Sequence, residues 1–276
     1  MASISLAEAI RKARRGEGDI ATPVVGFLVY NVGPYIALLM IWEGVRILFR
    51  PDPRFLPDVW RVAAQLMDLL KNGILIDYLS RSLVRISLAA GLAIPVGVLI
   101  GLGIGLNATI ASFLLPIIRF FNSIPAIAWL PLFIIWLGFK DQTIILDASY
   151  GLFFPVVFNT IVGVQTVPKV FRDAVRTMGG TWWHIVADVV LPGALPAVLT
   201  GIRTGFAYAW RGLIAAEMIV AANGLGYLIF KAQSMLLADR IIAGMILIGV
   251  TWAFLDYFIL QPLEEATVRR WGLMQR

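Results

Sequence analysis

The chain has 276 residues, 59% of them hydrophobic and only 14% charged, with a mean hydropathy of +0.84. A soluble domain carries about 25% charged residues, so this composition excludes a water-soluble fold and makes the bilayer the solvent. The formal charge of +6 reads as the Lys/Arg excess that orients membrane proteins rather than as a nucleic-acid footprint. The absence of Cys and the single His184 exclude disulfides, thiolate chemistry and a multi-histidine metal centre.

Residues 1–23 form a charged N-terminal tail. The apolar run behind it is too long for the h-region of a signal peptide, and it is read as an uncleaved first span. A membrane helix needs about 20 mainly apolar residues, and six segments qualify: 24–49, 83–106, 112–138, 143–167, 194–219 and 241–260. Segment 50–81 has apolar residues at helical spacing among charges, which predicts an amphipathic helix at the outer membrane interface. The transmembrane domain thus runs over 24–261, followed by a tail at 262–276. Prolines 95, 116, 125, 131 and 155 fall within spans, where a helix bundle can re-satisfy the backbone groups they free. Glycines 97, 101 and 105 recur every four residues, which suits close helix packing or an oligomer contact.

Six spans place both termini on one side. Arg11, Lys12, Arg14 and Arg15, then Lys169, Arg172 and Arg176, then Arg269, Arg270 and Arg276 would all share that side, which is expected to be cytoplasmic.

The loop between the fourth and fifth spans reads "RDAVRTMGGTWWHIVADVVLPGALP", 172–196. It predicts a short polar helix ending near Gly179–Gly180, a second amphipathic helix, and a sharp entry into the membrane at Leu191–Pro192. The loop resembles the EAA loop of permease subunits in binding-protein-dependent ABC importers. That pattern is Glu-Ala-Ala, three residues, Gly, nine residues, Ile, one residue, Leu-Pro. It falls here on Asp173, Ala174, Val175, Gly179, Val189, Leu191 and Pro192 with every spacing kept, and with Asp, Val and Val as conservative departures. "FLPDVWRVAAQLM", "SIPAIAWLPLFIIWLGF" and "AAEMIVAANGLGYLIFKAQ" are similar to the nitrate/sulfonate/taurine/bicarbonate subgroup.

The resemblance implies an all-α, six-span, type I (MetI-like) permease of the inner membrane, with segment 168–192 as the cytoplasmic coupling loop. It also implies a homodimer forming a pathway for a small anion or organic acid. Two ATPase subunits would hold ATP and Mg, a periplasmic or lipid-anchored protein would deliver cargo, and this chain would bind no cofactor or metal. A separate motor also follows from the residues. None of the five lysines, at 12, 71, 140, 169 and 231, is followed by Ser or Thr, so no Walker A loop exists here. Three rivals are an ion-coupled secondary transporter, an ABC permease for a non-anionic small molecule, and a membrane-embedded enzyme. The first calls for inverted repeats or paired broken helices; the last calls for a catalytic carboxylate, His or Cys cluster. Neither feature is visible.

Ionisable residues inside spans are functional hypotheses, since each costs about 3 kcal/mol or more at the bilayer centre. Glu43, Asp147 and Asp256 lie nearer span ends, where interfacial or packing roles suffice. Arg203 and Arg119 are read as reaching headgroups or capping carbonyls. Arg211 lies roughly 22 Å along the fifth span from Pro196. Glu217, six residues on, projects roughly 120° away, so the two cannot pair on one helix face. Three readings stand for Arg211: it lines the pathway and attracts an anion, pairs with an acid such as Asp147, or faces the outer headgroups. Glu217 either braces the outer end against "VAANGLGYL" or takes part in gating. Asn122, Ser123 and Asn159 line the same cavity or hydrogen-bond between helices. Trp129, Trp136, Trp210 and Trp252 are read as packing or interface residues.

Overall fold

The computed structural model describes residues 33–52 and 54–270, with the backbone alone for 268–270. The basic N-terminal residues, Arg276 and residues 24–32 of the first predicted span lie outside that range. The chain divides into two units, 1–65 and 66–276. In the first, α1 (Gly33–Phe49) carries a Glu43–Arg46 ion pair one turn apart, and Trp42 Nε1 donates to the Pro57 carbonyl at 3.1 Å.

Segment 50–81 is not one helix. A first helix, α2 (Val59–Lys71), ends before Gly73, which adopts φ 71°, outside the helical range. Residues 74–81 instead begin α3 (Ile74–Leu106), which extends the second predicted span by nine residues at its start.

The third predicted span, 112–138, is broken. It consists of α4 (Ala108–Asn122) and α5 (Ala126–Leu137), which meet at 91°. Pro125 supplies no N–H and disfavours a helical Ile124, so the helix ends there. The carbonyls freed by the bend are recovered: Ser123 Oγ donates to Phe120 O at 2.6 Å, and Tyr150 Oη donates to Phe121 O and, at 3.4 Å, to Ile124 O. Pro95, Pro116, Pro131 and Pro155 stay within helices.

α6 (Asp141–Thr166) is the central element, packed between α3 and the long helix α8 (Trp182–Val220). The glycine run of α3 explains one of these contacts. A Cβ on Gly97 would stand 3.0 Å from Val156 Cγ1, one on Gly101 2.6 Å from Thr160 Cβ, and one on Gly105 2.7 Å from Val164 Cβ. The four-residue spacing therefore packs α3 on α6 within the chain. On the other side Gly201 and Gly205 of α8 abut Asn159 and Leu152 in the same way. Gly101→Val is expected to destabilise the protein by about 1–3 kcal/mol through overpacking. Gly103→Val, whose Cβ would meet nothing within 4 Å, is expected to leave the thermal midpoint of the solubilised protein nearly unchanged.

α7 (Lys169–Thr177) precedes α8, and the sharp entry expected at Leu191–Pro192 is absent. α8 runs unbroken for 39 residues through a π-helical turn at Ile185–Val190. The cause is Pro192, which lacks a donor and crowds the carbonyl four residues back. The wider turn absorbs it, with Leu191 N–H donating to Val186 O. The same device recurs after α9 (Leu225–Ser234). There α10 runs from Ala238–Leu255 through a π turn at Asp256–Leu260 into Gln261–Arg270, with Pro262 just beyond that turn.

Among the described residues, four helices are long and apolar enough to cross a bilayer: α3, α6, α8 and α10. The bent α4–α5 pair makes a fifth if counted as one span.

Candidate functional site

α8 is mostly apolar but carries a stripe of polar and small residues at helical spacing: Thr204, Tyr208, Arg211, Gly212 and Ala215. α6 presents Tyr150, Pro155 and Asn159 toward it, and Asn122 with residues 124–127 at the α4–α5 bend closes one end. Together they line a cavity of about 640 Å³. Of the sequence-predicted pathway residues, Arg211, Asn122 and Asn159 share this cavity. Ser123 and Glu217 do not.

Arg211 is exposed and makes no ion pair among the described residues. Its guanidinium lies 5.9 Å from the Tyr208 ring centroid, a cation–π distance. The expected alternative of a pair with Asp147 is therefore not formed. Asn159 Nδ2 is engaged by Pro155 O at 2.9 Å.

Glu217 is fully buried. Its carboxylate accepts from Ser82 Oγ at 2.8 and 2.9 Å, from Arg85 Nη1 at 2.7 Å and from Gly226 N at 3.0 Å. The brace against the 220–228 loop is thus present, and its principal partner is a residue the sequence reading passed over. Arg85, 4% exposed at its side chain, also donates to Asp141 and to both the side chain and the backbone carbonyl of Asn223. The signal for it was an arginine in "LVRISLAAG", close to the start of the predicted second span. Gly224, at φ 115°, is required here, because a Cβ would stand 2.6 Å from the Glu217 carboxylate atoms.

Arg203 neither reaches headgroups nor caps carbonyls. It forms a two-pronged pair with Asp256, at 2.7 Å on each prong, and donates to Glu264 at 2.8 Å. Thr200 Oγ1 adds a bond to the same glutamate at 2.5 Å. This cluster ties α8 to α10 around the second π turn, and gives Asp256 an ion pair that its position near a span end did not disclose. Arg119 is exposed. Trp210 packs in the core beside Trp252, with ring centroids 6.4 Å apart.

The segment 172–192 stands on α7 and the start of α8. Asp173 and Ala174 are exposed, whereas Val175 packs against the buried cluster of Val164, Ile185, Val190 and Ala194. Gly179 has φ 77°, and a Cβ on Gly180 would stand 2.8 Å from the Val175 carbonyl, so these two glycines form the tight turn between the helices. The Thr181 N–H donates to His184 Nδ1 at 3.1 Å, closing the N-terminus of α8. Val170, Phe171, Met178, Trp182 and Trp183 surround this turn with their side chains exposed. Val189, Leu191 and Pro192 follow on the same helix that carries Arg211.

Residues 93–260 match the family described as binding-protein-dependent transport system inner membrane component. The chain belongs to this family. The taurine transport system permease protein TauC of Escherichia coli is 34% identical over 88% of this chain and 90% of its own length. The nitrate import permease protein NrtB of Synechocystis is 30% identical over 80% and 83%. A solved structure of the MetNI methionine ABC transporter, inward facing, matches the fold with a TM-score of 0.56 at 23% identity, covering 73% of this chain and 97% of that one. The protein is thus an inner-membrane permease subunit of an ABC importer. In that role it depends on separate ATPase and substrate-binding partners.

Proposed function

We propose that this permease moves a small anion or organic acid, and that Arg211 is the group that attracts it. The observation that carries this reading is a guanidinium in the cavity wall with no carboxylate partner among the described residues. Such a group presents planar paired donors suited to a carboxylate, sulfonate or nitrate. The taurine and nitrate cargoes named for the two relatives are of this class.

In this reading two copies of the permease form the pathway between them, with six spans each and both termini cytoplasmic. Each copy docks segment 172–192 into one ATPase subunit, where ATP and Mg reside. Asp173 and Ala174 with the exposed apolar side chains around the turn make the contact. Val175 anchors α7, and Gly179 sets the turn. Val189, Leu191 and Pro192 pass the motion into α8, whose unbroken course to Arg211 supports direct mechanical coupling.

Arg211→Ala is expected to lower uptake at limiting substrate about tenfold or more, as loss of a charge-assisted hydrogen bond implies, while the complex still co-purifies with its ATPase subunits. Unchanged uptake under those conditions would overturn the role of Arg211.

A further inference from the structure

Among the described residues, Glu217 and Asp147 are the two buried acids, and they differ in how they are satisfied. Glu217 has its arginine, serine and backbone donors. Asp147, 1% exposed on α6, has no hydrogen-bond partner at either carboxylate oxygen. The indole N–H groups of Trp129 and Trp210, also buried and without partners, do not take it up. Buried carboxylates are ordinarily paired or hydrogen-bonded, so an open one calls for a counterpart that the described residues do not supply.

Its position indicates what that counterpart is. Asp147 lies one turn before Tyr150 and Gly151, both of which line the Arg211 cavity. Its Oδ2 is 3.1 Å from where a Cβ on Gly212 would stand, and the Ala126 Cβ is 4.0 Å from the same point. Gly212 and Ala126 are themselves cavity-lining, so the buried carboxyl group lies directly behind the cavity wall, against a residue without a side chain. Arg211, the neighbour of Gly212, stands unpaired in the same wall. The wall thus holds an unpaired cation, Arg211, and a buried acid without a partner among the described residues, Asp147, lies directly behind it.

We propose that Asp147 reads a positive charge on the cargo, so that the site selects a small zwitterion, acidic group toward Arg211 and ammonium toward Asp147, over a simple anion of equal size. This rests on the anion-binding role of Arg211. It adds the second charge and makes Gly212 a specificity residue, because any side chain there stands between cargo and carboxylate.

The test is direct binding to the permease–ATPase complex in nanodiscs without the binding protein, using taurine and ethanesulfonate, which differ by one ammonium group. The native complex is expected to bind taurine about tenfold or more tighter, the scale of a charge-assisted bond. Asp147→Asn should close that gap to within about twofold by weakening taurine alone. Gly212→Ala, which leaves Asp147 in place, should narrow it as well and guards against misfolding of the first variant. A native complex that binds neither probe, or does not distinguish them, overturns the proposal, as does a gap that survives in both variants. Arg211→Gln should weaken both probes alike. If it leaves ethanesulfonate binding unchanged, the anion reading fails by itself, whatever Asp147→Asn does to the taurine gap.

Discussion

Replacing Arg85 with alanine is expected to destabilise the permease by about 3–5 kcal/mol, the cost of leaving a buried charge without its partner. Glu217 would keep Ser82 and Gly226 as donors but lose its arginine counter-charge in a fully buried site. The effect should appear as a large fall in the thermal midpoint of the solubilised complex and in membrane yield. Arg85→Met combined with Glu217→Leu should recover much of that loss, because an apolar replacement of a buried pair carries no desolvation cost. A single Arg85→Ala protein with a native midpoint would refute the bracing role. The loss is expected to be large because four parts of the chain converge on this pair: α3 through Ser82 and Arg85, α6 through Asp141, the end of α8 through Glu217, and the start of α9 through Leu225 and Gly226.

Gly179→Val is expected to uncouple the permease from its motor. A β-branched residue held at φ 77° bears about 1–2 kcal/mol of left-handed strain, and α7 is a nine-residue helix with no fully buried residue to resist it. The turn should relax by reorienting α7 and with it Asp173. Co-purification of the ATPase subunits and stimulation of their ATP hydrolysis by the loaded binding protein should then fall about tenfold, the equivalent of that strain. Gly179→Asn, which tolerates positive φ, should retain more coupling. Full stimulation by the valine variant would remove segment 172–192 from the coupling role.

Much of the architecture was legible because membrane segments declare themselves locally. A run of apolar residues long enough to cross the bilayer is a property of the segment alone, and α3, α6, α8 and α10 all fall on predicted spans. The spacing of Gly97, Gly101 and Gly105 likewise announces a close contact before its partner is known, since a missing Cβ every four residues leaves a groove along one helix face. Breaks were less legible. The helix bends at Pro125, which was read as lying within a span, and runs on through Pro192, where a sharp entry was expected, because the same missing donor can end a helix or be absorbed in a π turn. Which occurs depends on what packs around it. At Pro125 Tyr150 supplies hydroxyl contacts to carbonyls at the bend; at Pro192 the helix stays continuous, with Val190 and Ala194 in a buried cluster.

The amino-acid sequence by itself determined the solvent, the apolar segments, the motif spacing of segment 172–192 and the fact that Arg211 and Glu217 cannot meet on one helix. All of these follow from hydropathy and helical periodicity. Only the tertiary structure decided how each buried charge is satisfied. Arg85 and Glu217 are 132 residues apart and Arg203 and Asp256 are 53 apart, and pairing over such separations is set by which helix faces pack together. The same packing leaves Arg211 unpaired in a cavity wall and Asp147 buried without a partner behind it, which no reading of either segment alone could disclose.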